Sequence, residues 1–87
     1  MILIEIYSGD FCPYCMQAKS LLKKKSLEFT EYNVQKDPKR RTEMLERTAG
    51  ARSIPQIFIN DRHVGGCDEL YALEKKGELD SWLSATA

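Results

Sequence analysis

The run from Ile2 to Tyr7, in which Ile2, Ile4 and Ile6 alternate with Leu3, Glu5 and Tyr7, constrains the fold more than any other segment. Alternating β-branched residues read as a buried strand. Ser8, Gly9 and Asp10 break it, and a helical pattern begins at once. Pro13 suits a first helical turn, where its missing N–H is no loss, and Ala18, Leu21 and Leu22 follow at helical spacing. Lys23, Lys24 and Lys25 stand at the far end, where cations favour the helix dipole. A second strand is expected over Glu28 to Val34, with Phe29, Tyr32 and Val34 as its apolar surface. A helical crossover between two strands implies that they are parallel.

The rest of the chain adds a second helix, a hairpin and a third helix. Asp37 and Pro38 are an N-cap and a first-turn proline, and Met44, Leu45 and Thr48 mark an inner helical face that closes near Gly50. Gln56 to Ile59 and Arg62 to Val64 are short strands around Asn60-Asp61, a hairpin turn. Gly65 and Gly66 precede a helix carrying Leu70 and Leu73, with Gly77 as its stop. Leu79, Trp82 and Leu83 are spaced for a closing helix. The expected order is β-α-β-α-β-β-α, an α/β fold with a mixed four-stranded sheet between helices. At 87 residues, with no repeat or linker, residues 1–87 form one domain.

Composition removes several functions. Thirteen basic residues balance thirteen acidic ones, which argues against nucleic-acid binding driven by bulk charge. No apolar run approaches the ~20 residues that cross a bilayer, so no membrane association is expected. Met1 to Ile6 has no basic leader and is interrupted by Glu5, so a cytoplasmic location is expected. Three cysteines are too few, and odd in number, for a secreted disulfide scaffold. Nothing in the pattern suggests more than a monomer.

The cysteines therefore need another explanation. Cys12-Pro13-Tyr14-Cys15 lies where the first strand meets the first helix. Unpaired N–H groups and the dipole at a helix N-terminus stabilise a thiolate. Cys12 should stand exposed at that end, and Cys15 nearly a turn deeper on the same face. An outer nucleophile and an inner resolving thiol make a site for thiol–disulfide exchange. A pair of small buried hydrophobes is the plain alternative, but C-x-x-C beside a β-α-β pattern is itself a redox signature. Structural zinc on Cys12, Cys15, His63 and Cys67 is the other competitor. The gap from Cys15 to His63 far exceeds the ~12–20 residues usual between ligand pairs. His63 reads better as a solvated residue beside the hairpin turn.

Over nearly its whole length the chain resembles the glutaredoxins, closest to small bacterial dithiol members. The resemblance rests on Ile6-Tyr7 leading into Cys12-Pro13-Tyr14-Cys15, on Ser53-Ile54-Pro55-Gln56-Ile57-Phe58-Ile59, on Gly65-Gly66-Cys67-Asp68, and on the ending through Leu79 and Trp82. It implies a thioredoxin-like fold with sheet order 2-1-3-4, catalytic Cys12 and Cys15, and glutathione as co-substrate with no tightly bound cofactor. It also implies that Pro55 is a cis-proline and that the Ile54 main chain pairs with the cysteinyl part of glutathione, like an added strand. Gly66, Cys67 and Asp68 match the loop that holds the γ-glutamyl group; helix N–H groups suit a carboxylate, and Asp68 suits an ammonium. Asp68 reads equally as a helix cap. Tyr14 is expected to shield the disulfide and border the ligand. Cys67 reads as a packed small residue, with oxidation or glutathionylation as a side reaction.

One position departs from the family. Relatives often carry a lysine three residues before the first active cysteine, and here that position is Gly9, followed by Asp10. A cation that favours the thiolate is missing and an acid is added, so Cys12 must lean on the helix N-terminus. Gly9→Lys is then expected to tighten glutathione binding. Arg40, Arg41 or Gln17 is left to hold the glycine carboxylate of glutathione, although Arg40 and Arg41 read equally as a solvated helix face. The expected partners are glutathione and disulfide-bearing or glutathionylated proteins. Two rivals remain: a redoxin served by thioredoxin reductase, and an iron–sulfur carrier using Cys12 and glutathione as cluster ligands.

Overall fold

The computed structural model describes residues 2–84. Its elements run β1 (Ile4–Ser8), α1 (Pro13–Lys24), β2 (Thr30–Asn33), α2 (Pro38–Arg47), β3 (Gln56–Ile59), β4 (Arg62–Gly65), α3 (Cys67–Lys75) and α4 (Leu79–Ser84). The four strands form one sheet in the order β2-β1-β3-β4. β1 is parallel to β2 and antiparallel to β3, and β3 and β4 form the antiparallel hairpin. The mixed sheet matches the expectation from the residue pattern, and its strand order the one that the resemblance implied.

Strand alternation sorts the side chains into two cores. Ile4 and Ile6 of β1 and Ile57 and Ile59 of β3 pack with Ala18, Leu21 and Leu22 of α1, Cys67 and Leu70 of α3, and Leu79 and Leu83 of α4. Tyr7 and Phe58 point the other way and pack with Val34 and with Met44 of α2. β1 is thus buried on both faces, and its two polar members are each partnered: Glu5 pairs with Arg47 at 3.1 Å and the Ser8 hydroxyl donates to Glu31 at 2.5 Å. Each fully buried Ile or Leu contributes roughly 1.5–3 kcal/mol, so a large-to-small change at Ile6 or Leu22, both fully buried, strikes the centre of the larger core.

The helix ends follow their sequence signals. Asp37 accepts from the Lys39 N–H at 3.1 Å, with Pro38 opening α2. Lys25, just past α1, reaches Glu74 at 2.8 Å and Asp80 at 3.3 Å, joining α1 to α3 and α4. Gly77 has φ 72°, the left-handed stop expected after α3. Asn60 and Asp61 have φ 50° and 67°, the paired left-handed residues of a tight hairpin turn.

Four details differ from the sequence reading. Ile2 and Leu3 precede β1 and are 44% and 46% exposed, because the ladder begins only where Ile4 meets Ile59. Glu28 and Phe29 precede β2, whose pairing starts with Glu5 opposite Thr30. Val34 lies beyond β2 yet still donates to the Ser8 carbonyl at 2.9 Å. β4 runs one residue further than expected: Gly65, opposite Ile57, closes it at φ 120° beside a bulge.

Candidate active site

Cys12 is the N-cap of α1. Its backbone is extended (φ −114°, ψ 97°), and Pro13 fills the first helical position. The Cys15 N–H, a first-turn donor with no partner inside the helix, donates to Cys12 Sγ at 3.1 Å. Cys12 and Cys15 are joined as a disulfide, with Cα atoms 5.2 Å apart. Cys12 is half-buried whereas Cys15 is 1% exposed, so only the outer sulfur is open to attack. This is the unequal pair the spacing predicts.

Beside this pair lies an open cleft of about 160 Å³. Tyr14 enters it from α1, Ser53, Ile54 and Pro55 from the loop before β3, and Gly66, Cys67, Asp68 and Glu69 from the start of α3. The Ile54–Pro55 bond is cis, as the resemblance implied. Gly66 has a specific steric reason to be glycine: a Cβ there would stand 3.3 Å from the Pro55 carbonyl and 3.2 Å from Glu69 Oε1. Its N–H donates to Glu69 Oε1 at 2.6 Å, and Asp68 is exposed on the first turn of α3. The cleft therefore offers a helix N-terminus and a carboxylate together, at one end, and a stretch of irregular backbone at the other.

Six residues assigned to ligand binding from sequence thus meet here: Tyr14, Ile54, Pro55, Gly66, Cys67 and Asp68. Arg40 does not line the cleft. Its guanidinium lies 4.0 Å above the Tyr32 ring and reaches Glu43 at 3.1 Å. Gln17 belongs to the opposite end from Gly9, with Oε1 3.9 Å from Cys67 Sγ and its carbonyl accepting from the Tyr71 hydroxyl at 3.0 Å. Sequence reading missed Glu69, whose side chain fixes the Gly66 N–H, and missed Gln35. The S/T-x-x-E capping pattern that flags such a glutamate is hidden here because the N-cap is glycine.

Gln35 explains the surroundings of Gly9. A Cβ at Gly9 would stand 2.6 Å from Gln35 Nε2 and 2.8 Å from Ile54 Cδ1. Gln35 Oε1 accepts from the Asp10 N–H at 2.9 Å. Asp10 in turn accepts from Asn33 at 3.1 Å and faces Lys36 at 3.8 Å. The added acid is therefore tied down and charge-balanced instead of standing free against Cys12.

Cys67 is buried, 5% exposed, and its thiol is pushed above the usual range by burial and then by Asp68 and Glu69. His63 stacks on Phe58, and its Nε2 lies 2.6 Å from Gln56 Oε1. Phe58 faces the α2 side of the sheet whereas Cys67 packs in the α1/α3 core, so His63 and Cys67 stand on opposite faces and the four-ligand zinc set is not assembled.

A sheet of this topology with a half-exposed cysteine capping α1, bonded to a buried cysteine one turn on, defines a thiol–disulfide oxidoreductase of the thioredoxin-like class. The glutaredoxin family model matches residues 4–64. The chain is 49% identical over 82 residues to a glutaredoxin of Pseudomonas aeruginosa, covering 94% of this chain and 96% of the relative. It is 46% identical over 83 residues to glutaredoxin 3 of Escherichia coli, covering 95% and 99%. The solution structure of glutaredoxin from Brucella melitensis superposes with a TM-score of 0.81 at 51% identity, over 95% of this chain and 89% of that one. The chain belongs to the glutaredoxin family.

Proposed function

We infer that this protein uses glutathione to reduce protein–glutathione mixed disulfides and protein disulfides, and that the cleft beside Tyr14 is its glutathione site. The observation that carries this reading is the pairing of the α3 N-terminus with Asp68 in one cleft. An α-carboxylate suits the former and an α-ammonium the latter, and the γ-glutamyl group presents both. The backbone at Ile54 then offers an edge for the cysteinyl residue. Arg40 is held by Glu43 and the Tyr32 ring outside the cleft wall, whereas Gln35 stands beside Gly9 together with the cleft residue Ile54 and is the better placed of the two for the glycine carboxylate.

For a mixed disulfide, the Cys12 thiolate bonds to the sulfur of glutathione as the existing S–S bond breaks. The electron pair leaves on the protein sulfur, which takes a proton from solvent. A second glutathione thiolate then attacks the glutathione sulfur now bonded to Cys12; the Cys12–glutathione bond breaks, Cys12 leaves as the thiolate, and oxidised glutathione is released. For a protein disulfide, the Cys12 thiolate bonds to one protein sulfur as the protein S–S bond breaks, and the other sulfur leaves and takes a proton. The Cys15 thiolate then attacks Cys12 Sγ, expelling the remaining protein sulfur and forming the Cys12–Cys15 disulfide. Two glutathiones reduce that bond in turn. These steps suit a reducing cytoplasm and one chain acting alone.

Turnover of a glutathionylated peptide with glutathione, glutathione reductase and NADPH tests the reading. Fast reduction is expected; none would reject glutathione as the reductant, and turnover with thioredoxin reductase instead would favour the first rival. Visible absorption after anaerobic reconstitution with iron and sulfide would favour the cluster carrier.

A further inference from the structure

The turn ahead of the cysteine pair carries a residue that the fold does not use. Phe11 is 101% exposed and belongs to neither hydrophobic core. Its φ is 53°, the left-handed region that glycine enters freely and a bulky side chain does not. Two unfavourable choices, an aromatic ring in water and a left-handed backbone, thus fall on the residue bonded to Cys12. They do not stand alone. Tyr14 and Met16 are 59% and 65% exposed, and Met16, four residues after Cys12, shares its side of the helix. These three make up half of the six exposed large apolar residues among the described ones. Asp10, the charged residue next to Phe11 in the chain, faces Lys36 at 3.8 Å.

We propose that Phe11 is a specificity residue for the protein half of a glutathione mixed disulfide, selecting segments with an apolar side chain beside the reacting cysteine. The proposal rests on the glutathione reading above. Tyr14 borders the cleft, whereas Phe11, adjacent to Cys12 in the chain, and Met16, on its helix side, are not part of the cleft wall. With glutathione in the cleft, the leaving protein sulfur is still bonded to the sulfur that Cys12 attacks. Residues flanking that cysteine therefore cross the surface next to Cys12 outside the cleft, where Phe11 and Met16 stand. A neutral apolar surface favours an apolar flank over a polar one.

Three substrates test this in the coupled assay: a glutathionylated peptide with leucine beside the cysteine, the same peptide with serine there, and the mixed disulfide of glutathione with 2-mercaptoethanol. The wild type is expected to favour the leucine peptide over the serine peptide by about tenfold in kcat/KM, the effect of one apolar contact. Phe11→Ser should reduce that preference to about twofold or less, acting through KM, and Phe11→Leu should restore most of it. Phe11→Gly, which frees the backbone and removes the ring, should behave as Phe11→Ser. A wild type without the preference overturns the proposal, as does a Phe11→Ser or Phe11→Gly variant that keeps it. An equal loss on all three substrates assigns Phe11 a structural role instead. If the wild type fails even on the small mixed disulfide, the glutathione reading falls and takes this proposal with it.

Discussion

The backbone N–H of Cys15 donates to Cys12 Sγ across 3.1 Å, so the inner cysteine supports the outer sulfur through its main chain. A side-chain change at position 15 leaves that donor in place. Cys15→Ser should therefore retain turnover of a glutathionylated peptide at roughly the wild-type rate, within about threefold, while losing turnover of a protein disulfide that needs the second thiol. Cys12→Ser should abolish both. Both rates come from the coupled assay, and retained activity in Cys12→Ser would overturn the assignment of the nucleophile.

Gly9 and Gln35 form a coupled pair. Sequence reading expects Gly9→Lys to tighten glutathione binding, but any side chain at position 9 must displace Gln35 and Ile54, and Ile54 is a cleft residue. The single substitution should thus give little or no gain. Gly9→Lys combined with Gln35→Ser removes the nearer clash and leaves only the terminal methyl of Ile54 to turn aside, and should tighten binding about twofold to fivefold, as an exposed ion pair of ~0.5–1 kcal/mol allows. Calorimetric titration with S-methylglutathione compares the two. A single variant that tightens as much as the double would show that Gln35 does not occupy the position in solution.

Behind the sheet, Tyr7 joins strand β1 to helix α2. Its hydroxyl donates to Glu43 and accepts from Arg47 at 2.8 Å, and Arg47 also reaches Glu5 at 3.1 Å. Burial first, and then the Glu43 carboxylate, push the Tyr7 hydroxyl up to about 12. A group raised in the folded state stabilises fully below its unfolded pKa of ~10 and loses that contribution as pH climbs towards 12. Glu43 moves the other way, held below the usual carboxylate range by the Tyr7 hydroxyl and, against burial, by Arg40. Its contribution is present above ~4.3 and is lost as pH falls further. Tyr7→Phe should cost roughly 1–3 kcal/mol in urea unfolding at neutral pH. It should also remove the last tyrosinate step from a titration at 295 nm and flatten the acid limb of stability. An unchanged acid limb would separate Glu43 from Tyr7.

Most of the architecture was legible because period and punctuation agree: Ile4 and Ile6 in alternation, Pro13 and Pro38 opening helices, Asn60-Asp61 turning a hairpin. The cleft was legible only through resemblance, since no local rule brings Tyr14, Ile54 and Asp68 together from three parts of the chain. Strand ends at Leu3 and Phe29 were misplaced because apolar character continues past the last ladder pair. Gln35 was missed for a related reason. A glutamine in a polar stretch carries no signal until the fold sets its amide beside Gly9. Asp10 looked hostile to a thiolate in sequence because its partners, Asn33 and Lys36, lie more than twenty residues away.

Cys67 lines the cleft next to Gly66, which makes its chemistry a test of the site's selectivity. Burial disfavours its thiolate most, and Asp68 and Glu69 disfavour it further, so the sulfur stays protonated at neutral pH. Cys12 is only half-buried, and its sulfur accepts the Cys15 N–H. Only a thiolate attacks an alkylating agent at a useful rate. After full reduction, iodoacetamide near pH 7 should therefore modify Cys12 at least tenfold faster than Cys67, and mild treatment with oxidised glutathione should add no stable adduct at Cys67. Intact-mass analysis of the Cys12→Ser/Cys15→Ser variant isolates the third thiol. Rapid modification of that variant would mean that the α3 N-terminus opens in solution and that Cys67 competes with Cys12 for disulfides.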